Sequence, residues 1–187
     1  MSRTPSNMLP LGTQLPEFNL FNTVTGNNFS SNQLKGAKAS VMMFICNHCP
    51  YVKHVNNELV SLANDYISKG VNFVAISSND VVNYPDDSPE KMKENALTLG
   101  FPFPYLYDET QDVARAYDAA CTPDFFVFDS TLHLAYRGQL DDSRPSLTIP
   151  VTGRDIRDAL DNLLSAKPVN DFQRPSLGCN IKWKTNA

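Results

Sequence analysis

The chain switches between two hydrophobic rhythms. Residues 40–45 form a short apolar run with β-branched and aromatic members, which predicts a buried strand over about 39–45. Beyond Pro50 the rhythm changes: Val52, Val55, Leu59, Leu62 and Tyr66 recur at steps of three and four. That spacing puts them on one face of an amphipathic helix over about 50–69, with Gly70 where a C-terminal cap belongs. Residues 71–76 are a second apolar run and predict a second buried strand. Strand, helix and strand in that order imply a right-handed crossover and parallel pairing of the two strands.

The same reading continues along the chain. Residues 18–20 and 25–29 predict two short strands of an N-terminal hairpin, and residues 77–88 a polar loop holding Asn79, Asp80, Tyr84 and Pro85. Ser88, Pro89 and Glu90 supply an N-cap, a first-turn proline and an early acid for a helix that buries Met92, Ala96 and Leu99 and ends at Gly100. A short strand near Tyr105 follows. Asp108 with Gln111 three residues on is a capping-box variant that starts a helix to about Tyr117. Residues 125–128 and 132–136 read as an antiparallel pair around Asp129 and Ser130. Thr152 is expected to cap a last helix through Ile156, Leu160, Leu163 and Leu164, ended by Pro168. The expected fold class is α/β, with a mixed central sheet of four or five strands flanked by helices. Residues 1–16, with Pro5, Pro10 and Pro16, are expected to be a poorly ordered arm, 17–167 the folded domain, and 168–187 an extended tail anchored by Ile181 and Trp183.

Composition narrows the function classes. The 187 residues fit one domain, and a hydrophobic fraction of 42% can build a core. A net charge of -4 argues against nucleic acid or an anionic membrane as the partner. No stretch approaches the roughly 18 apolar residues of a membrane span. Residues 1–10 contain no apolar core of signal-peptide length, so a cytoplasmic protein is expected. Four cysteines are too few for a disulfide scaffold. In a reducing compartment a C-x-x-C is more often catalytic or metal-binding than structural.

That C-x-x-C is Cys46-Asn47-His48-Cys49, followed by Pro50, at the junction of the first buried strand and the first helix. Amides and the dipole at a helix start stabilise an anion, and the reactive form of cysteine is the thiolate. Pro50 fits a first turn, where its missing N–H has no helical partner. Two cysteines three apart in a first turn can reach disulfide distance.

With Thr122 and Pro123 leading into a later strand, the pattern resembles the thioredoxin-like superfamily, and more narrowly its members grouped with alkyl hydroperoxide reductase and thiol-specific antioxidant. The resemblance covers roughly residues 15–166 and is carried by residues 46–51, 78–89, 102–110 and 121–129. It implies a thioredoxin-like fold with an N-terminal hairpin and an extended C-terminal tail. It implies Cys46 as attacking thiol, Cys49 as resolving thiol, and a cis Pro123 facing them, with the Thr122 backbone binding an extended substrate. Asn47 and His48 would tune the pair: a histidine before the second cysteine stabilises the Cys46 thiolate, which raises the potential above thioredoxin's roughly -270 mV. Cys46 is therefore expected to titrate below the ordinary thiol value of about 8.5. Cys121 is a candidate third redox thiol or a small buried apolar residue. Cys179 is a candidate second resolving thiol, or an unreactive one.

The sequence departs from the family patterns at several places. If Cys49 matches the peroxidatic cysteine of P-x-x-x-T/S-x-x-C, Cys46 stands in the hydroxyl's place and Met42 in the proline's. Ser40 stands where thioredoxin has a buried aspartate, and Ile45 where it has a tryptophan. The expected function is a thiol–disulfide oxidoreductase working through a mixed disulfide. A thiol peroxidase reducing hydroperoxides is the first alternative, and a redox sensor or metal-binding protein the second. His54 with Cys46, Cys49 and Cys121 is the conceivable metal set. The chain has no second C-x-x-C to support it, so no metal or other cofactor is expected. His133 is read as structural. The implied partners are a disulfide or hydroperoxide substrate and a thiol electron donor.

Overall fold

The computed structural model describes residues 3–185. In chain order its strands are β1 (Arg3–Pro5), β2 (Asn19–Asn22), β3 (Asn28–Ser30), β4 (Ala39–Phe44), β5 (Val71–Ser77), β6 (Tyr105–Tyr107), β7 (Cys121–Thr122), β8 (Asp124–Asp129), β9 (Leu134–Gly138) and β10 (Leu177–Asn180). The helices are α1 (Pro50–Ile67), α2 (Pro89–Leu99), α3 (Asp112–Ala116) and α4 (Arg154–Leu164).

The two apolar runs sit where their composition requires, at the centre of a mixed sheet ordered β3-β2-β6-β5-β4-β8-β9. β4 and β5 pair in parallel from Ala39↔Val71 to Phe44↔Ile76, and β8 pairs antiparallel on the other side of β4. Every residue of β4 is buried, because both faces of the sheet are covered. Val41 and Met43 face the cluster built from α1, α2 and α4. Met42 and Phe44 face the opposite cluster, with Phe126, Phe128, Val113 and Tyr117. The sheet has seven strands rather than the four or five expected. The N-terminal hairpin does not stand apart: Phe21 of β2 pairs with Tyr107 of β6, so the hairpin extends the sheet.

α1 buries Val52, Val55, Leu59, Leu62 and Tyr66, the face that the periodicity predicts. Ser88 caps α2 by accepting from the Lys91 amide at 3.4 Å, and Gly100 closes it with φ 67°. α3 is shorter than expected, because Gln111 sits at φ 66° as its N-cap. Asp108 still serves that helix, its carboxylate accepting from the Ala114 amide at 2.9 Å. Thr152 does not cap α4. The N-cap is Gly153, and the amides of Thr152 and Gly153 both donate to Asp141 Oδ2, at 2.6 and 2.7 Å.

The arm and the tail form a second, three-stranded sheet in the order β1-β10-β7. The segment expected to be poorly ordered is thus tied down from Arg3 onward. Thr4 pairs with Gly178. The Ser6 hydroxyl donates to the buried Asp124, and the amides of Gly12 and Leu15 donate to the carbonyls of Leu134 and Leu132. Its partners are remote in sequence, so no local pattern announces them. In the tail, Ile181 is buried as expected, but Trp183 is 39% exposed and is covered on one face by the Arg115 guanidinium, 4.9 Å from the ring centroid. No helix among the described residues is long and apolar enough to cross a membrane.

Phe126 holds the aromatic cluster together, with ring centroids 5.8 Å from Phe44 and 5.6 Å from Tyr117. Phe126→Ala should lower unfolding stability by about 3–5 kcal/mol in denaturant titrations. A loss below about 1 kcal/mol would show that this cluster does not carry the core.

Candidate active site

The strand-to-helix junction delivers both cysteines, but not symmetrically. β4 ends at Phe44, Cys46 lies in the connecting loop, Cys49 is the N-cap of α1, and Pro50 is in its first turn. The helix start therefore belongs to Cys49 rather than Cys46. Neither thiol is exposed, Cys46 being 1% and Cys49 0% accessible. No disulfide joins the cysteines of the described residues.

The Thr122–Pro123 peptide bond is cis and faces the two thiols, as expected. Thr122 Oγ1 is 3.4 Å from Cys46 Sγ, and the Thr122 carbonyl oxygen is 3.2 Å from Cys49 Sγ. The tail supplies a third sulfur: Cys179 Sγ lies 2.9 Å from Cys49 Sγ.

A polar shell surrounds the loop. Asp87 is fully buried, at the end of the 3-10 turn Pro85–Asp87. It accepts from the Asn47 amide at 2.8 Å, from the Asn79 side chain at 2.8 Å, and lies 2.6 Å from His48 Nδ1. The Asn47 amide group spans from the Asp86 carbonyl to Asn95 and the Tyr105 hydroxyl. His48 also stacks on Tyr84, 5.4 Å between centroids.

A family model for the AhpC/TSA family matches residues 11–137. The chain belongs to the AhpC/TSA family. Its fold is thioredoxin-like. It is similar over its whole length to an uncharacterized conserved protein from Geobacillus kaustophilus, at 62% identity and TM-score 0.98, covering 99% of that chain. A hypothetical protein from Sinorhizobium meliloti 1021 is 43% identical with TM-score 0.96, over 98% of this chain and 100% of that one. A thioredoxin-family thiol:disulfide interchange protein from Chlorobium tepidum TLS shares the fold at 21% identity and TM-score 0.64, over 83% of this chain and 99% of that one. Among curated proteins there is no match.

In this AhpC/TSA-family site the two thiols of the C-x-x-C shift in opposite directions. Hydrogen bonds from Cys46, then from Cys179, with the amides of Val52 and Cys179, outweigh burial and bring the Cys49 pKa down to about 5. The Thr122 carbonyl opposes a charge on Cys49 and accepts the hydrogen bond when the thiol is protonated. Cys46 moves the other way. Its hydrogen bond to Cys49, its burial and the charge of Asp87 all push it well above an ordinary thiol. The expectation of a low Cys46 pKa is thus reversed, because Cys46 lies outside the helix start and shares its proton with the neighbour that lies on it. The reversal was foreseeable, since a proline at the first helical position makes the residue before it the N-cap.

His48 is raised by its hydrogen bond to Asp87, against the opposing effect of burial. Burial pushes Asp87 up, but bonds from His48 and Asn79 outweigh it and hold the carboxylate below its ordinary value. The charges of Asp87 and Cys49 raise His48 further. Asp87 and the bridging role of Asn79 are absent from the sequence reading; nothing local distinguishes Asp87 from Asp86. Cys121 is near but apart. It is fully buried in β7, its thiol turns to the Pro123 carbonyl at 3.6 Å, and burial raises it far above the usual range. Among the described residues the one group able to share an ion is Cys46, His48 and Asp87, whose ligand atoms lie within 4.8 Å of one another; His54 and Cys121 are outside it.

The His48–Asp87 pair has a pH signature. A histidine raised in the fold stabilises fully below its unfolded pKa of about 6.5, and that stability is lost as pH rises through the higher folded value. Asp87→Asn should lower the His48 pKa in an NMR titration. It should also flatten the fall in stability above pH about 6.5. An unchanged His48 titration in the variant would mean that the pair does not set it.

Proposed function

We propose that this chain is a thiol–disulfide oxidoreductase in which Cys46 and Cys49 are the working dithiol and Cys49 is the nucleophile. The observation that carries this reading is the convergence of the Cys46 and Cys179 thiols, the Val52 amide of the helix start and the Cys179 amide on Cys49 Sγ. The Cys49 thiolate attacks a substrate disulfide, forming a bond to one sulfur and releasing the other as a thiolate. Cys46 then attacks Cys49 Sγ, freeing the second substrate sulfur and leaving a Cys46–Cys49 disulfide. The proton of Cys46 goes to a departing thiolate, and two electrons pass from the dithiol to the substrate. Loss of the Cys49 charge in the mixed disulfide removes a main cause of the high Cys46 pKa, which readies it for this step. A thiol donor then restores the dithiol.

The roles are thus exchanged relative to the sequence expectation. A stabilised thiolate favours the reduced form, which supports a potential above thioredoxin's roughly -270 mV. The cytoplasm, where thiols are kept reduced, is the compartment this reading assigns. Thr122 and Pro123 are assigned to substrate binding, and Asn47 and His48 to holding the loop.

A second reading draws on the same observation. Cys49, where the charge collects, would match the peroxidatic position of P-x-x-x-T/S-x-x-C, with Cys46 in the hydroxyl's place. A hydroperoxide would oxidise its thiolate to the sulfenate and leave as the alcohol. Parallel assays of the reduced protein with a small disulfide and with a hydroperoxide separate the two readings. Disulfide reduction should dominate, fall to the uncatalysed background in Cys49→Ser, and stall at a mixed disulfide on Cys49 in Cys46→Ser once the tail cysteine is also replaced. Faster turnover of the hydroperoxide, or full activity in Cys49→Ser, would refute the proposal.

A further inference from the structure

The tail takes the Thr122 backbone edge that the proposed function assigns to substrate. β10 runs antiparallel to β7, with Cys179 opposite Thr122 and Asn180 opposite Cys121. The fit is close. A Cβ on Gly178 would stand 2.0 Å from the Thr122 carbonyl oxygen, so a side chain at 178 would force the strand away. Gly178 thus permits backbone contact inside a strand. Ser176 fixes one end by donating to the Pro123 carbonyl at 2.6 Å. Beyond the other end, the Lys182 amide donates to Asn79 Oδ1 at 2.8 Å and its carbonyl accepts from the Asp80 amide at 2.8 Å. Asn79 also holds Asp87, so tail and loop share one polar link. Cys179, 2% exposed, is delivered by these contacts to within 2.9 Å of Cys49 Sγ.

We propose that Cys179 is a third redox thiol of this site and that the tail is its built-in partner strand. The inference rests on the reading of Cys49 as nucleophile. A substrate sulfur attached to Cys49 is displaced by the Cys179 sulfur, which gives up its proton. A Cys49–Cys179 disulfide forms and the substrate sulfur leaves as a thiol. Cys46 then exchanges onto Cys49, forming Cys46–Cys49 and returning Cys179 to the thiol. Overall one substrate disulfide becomes two thiols and one protein disulfide is made. An extended protein substrate and β10 compete for the same edge of β7, so the tail also gates entry to the thiols.

The test uses the full reduced chain, a stoichiometric amount of an aromatic disulfide that releases thionitrobenzoate, and acid quenching before peptide mapping. In Cys46→Ser, a second thionitrobenzoate should follow the first, and the mapped linkage should be Cys49–Cys179. The second release should be on the order of tenfold or more faster than in Cys46→Ser/Cys179→Ser, because the attacking sulfur is already in place. Adding Gly178→Val to Cys46→Ser should slow it similarly. In the wild type, which needs no variant to fold, early quenches should contain Cys49–Cys179 before Cys46–Cys49 accumulates. A persistent mixed disulfide on Cys49 in Cys46→Ser, with Cys179 still alkylated, overturns the inference and leaves the proposed function standing. If Cys49 takes no thionitrobenzoate at all, the proposed function falls and this inference with it.

Discussion

The proposed thiolate at the start of α1 is the charge this site is built to hold. A thiolate sealed from water is costly unless donors replace the water it loses. Here they come from several parts of the chain: Cys46 from the loop after β4, Val52 from the helix, and both the thiol and the amide of Cys179 from the tail. The parallel β4–α1–β5 unit fixes the helix start, and the small sheet of arm, tail and β7 fixes the last donors. Removing the tail sheet takes away both Cys179 donors.

The same constraint explains why a carboxylate can sit so close. Asp87 is fully buried and its charge repels a thiolate on Cys46. His48, Asn79 and the Asn47 amide satisfy Asp87, so its charge is held at the loop while the thiolate is pushed to the far cysteine. Asn79 reaches from this carboxylate to the tail amide of Lys182. A movement of the tail would thus be felt at Cys49 directly and at Asp87 through Asn79.

What the sequence reveals follows the range of the interactions. The buried runs of β4 and β5, the face of α1, the Ser88 cap and the Gly100 stop are set by near neighbours and are legible in periodicity and capping chemistry. The cis bond before Pro123 comes from the family resemblance, since local sequence alone does not select it. The sequence reading missed the assembly of β1 and β10, because Arg3 and Cys179 carry no mutual signal across the length of the chain. It also missed Asp87, one of two adjacent aspartates whose burial is decided by the loop that surrounds it. The proposed exchange of roles between the two thiols has a different origin. Thioredoxin's pattern places its attacking cysteine first, whereas Pro50 sets this helix to begin one residue after Cys49.

The pH dependence of thiol–disulfide exchange tests the central assignment most directly. The rate at which the reduced protein attacks a small aromatic disulfide, followed at constant ionic strength, should rise with a midpoint of about 5 and stay level through neutrality, as expected for a Cys49 thiolate. A rate that keeps climbing to the ordinary thiol value of about 8.5 or beyond would contradict it.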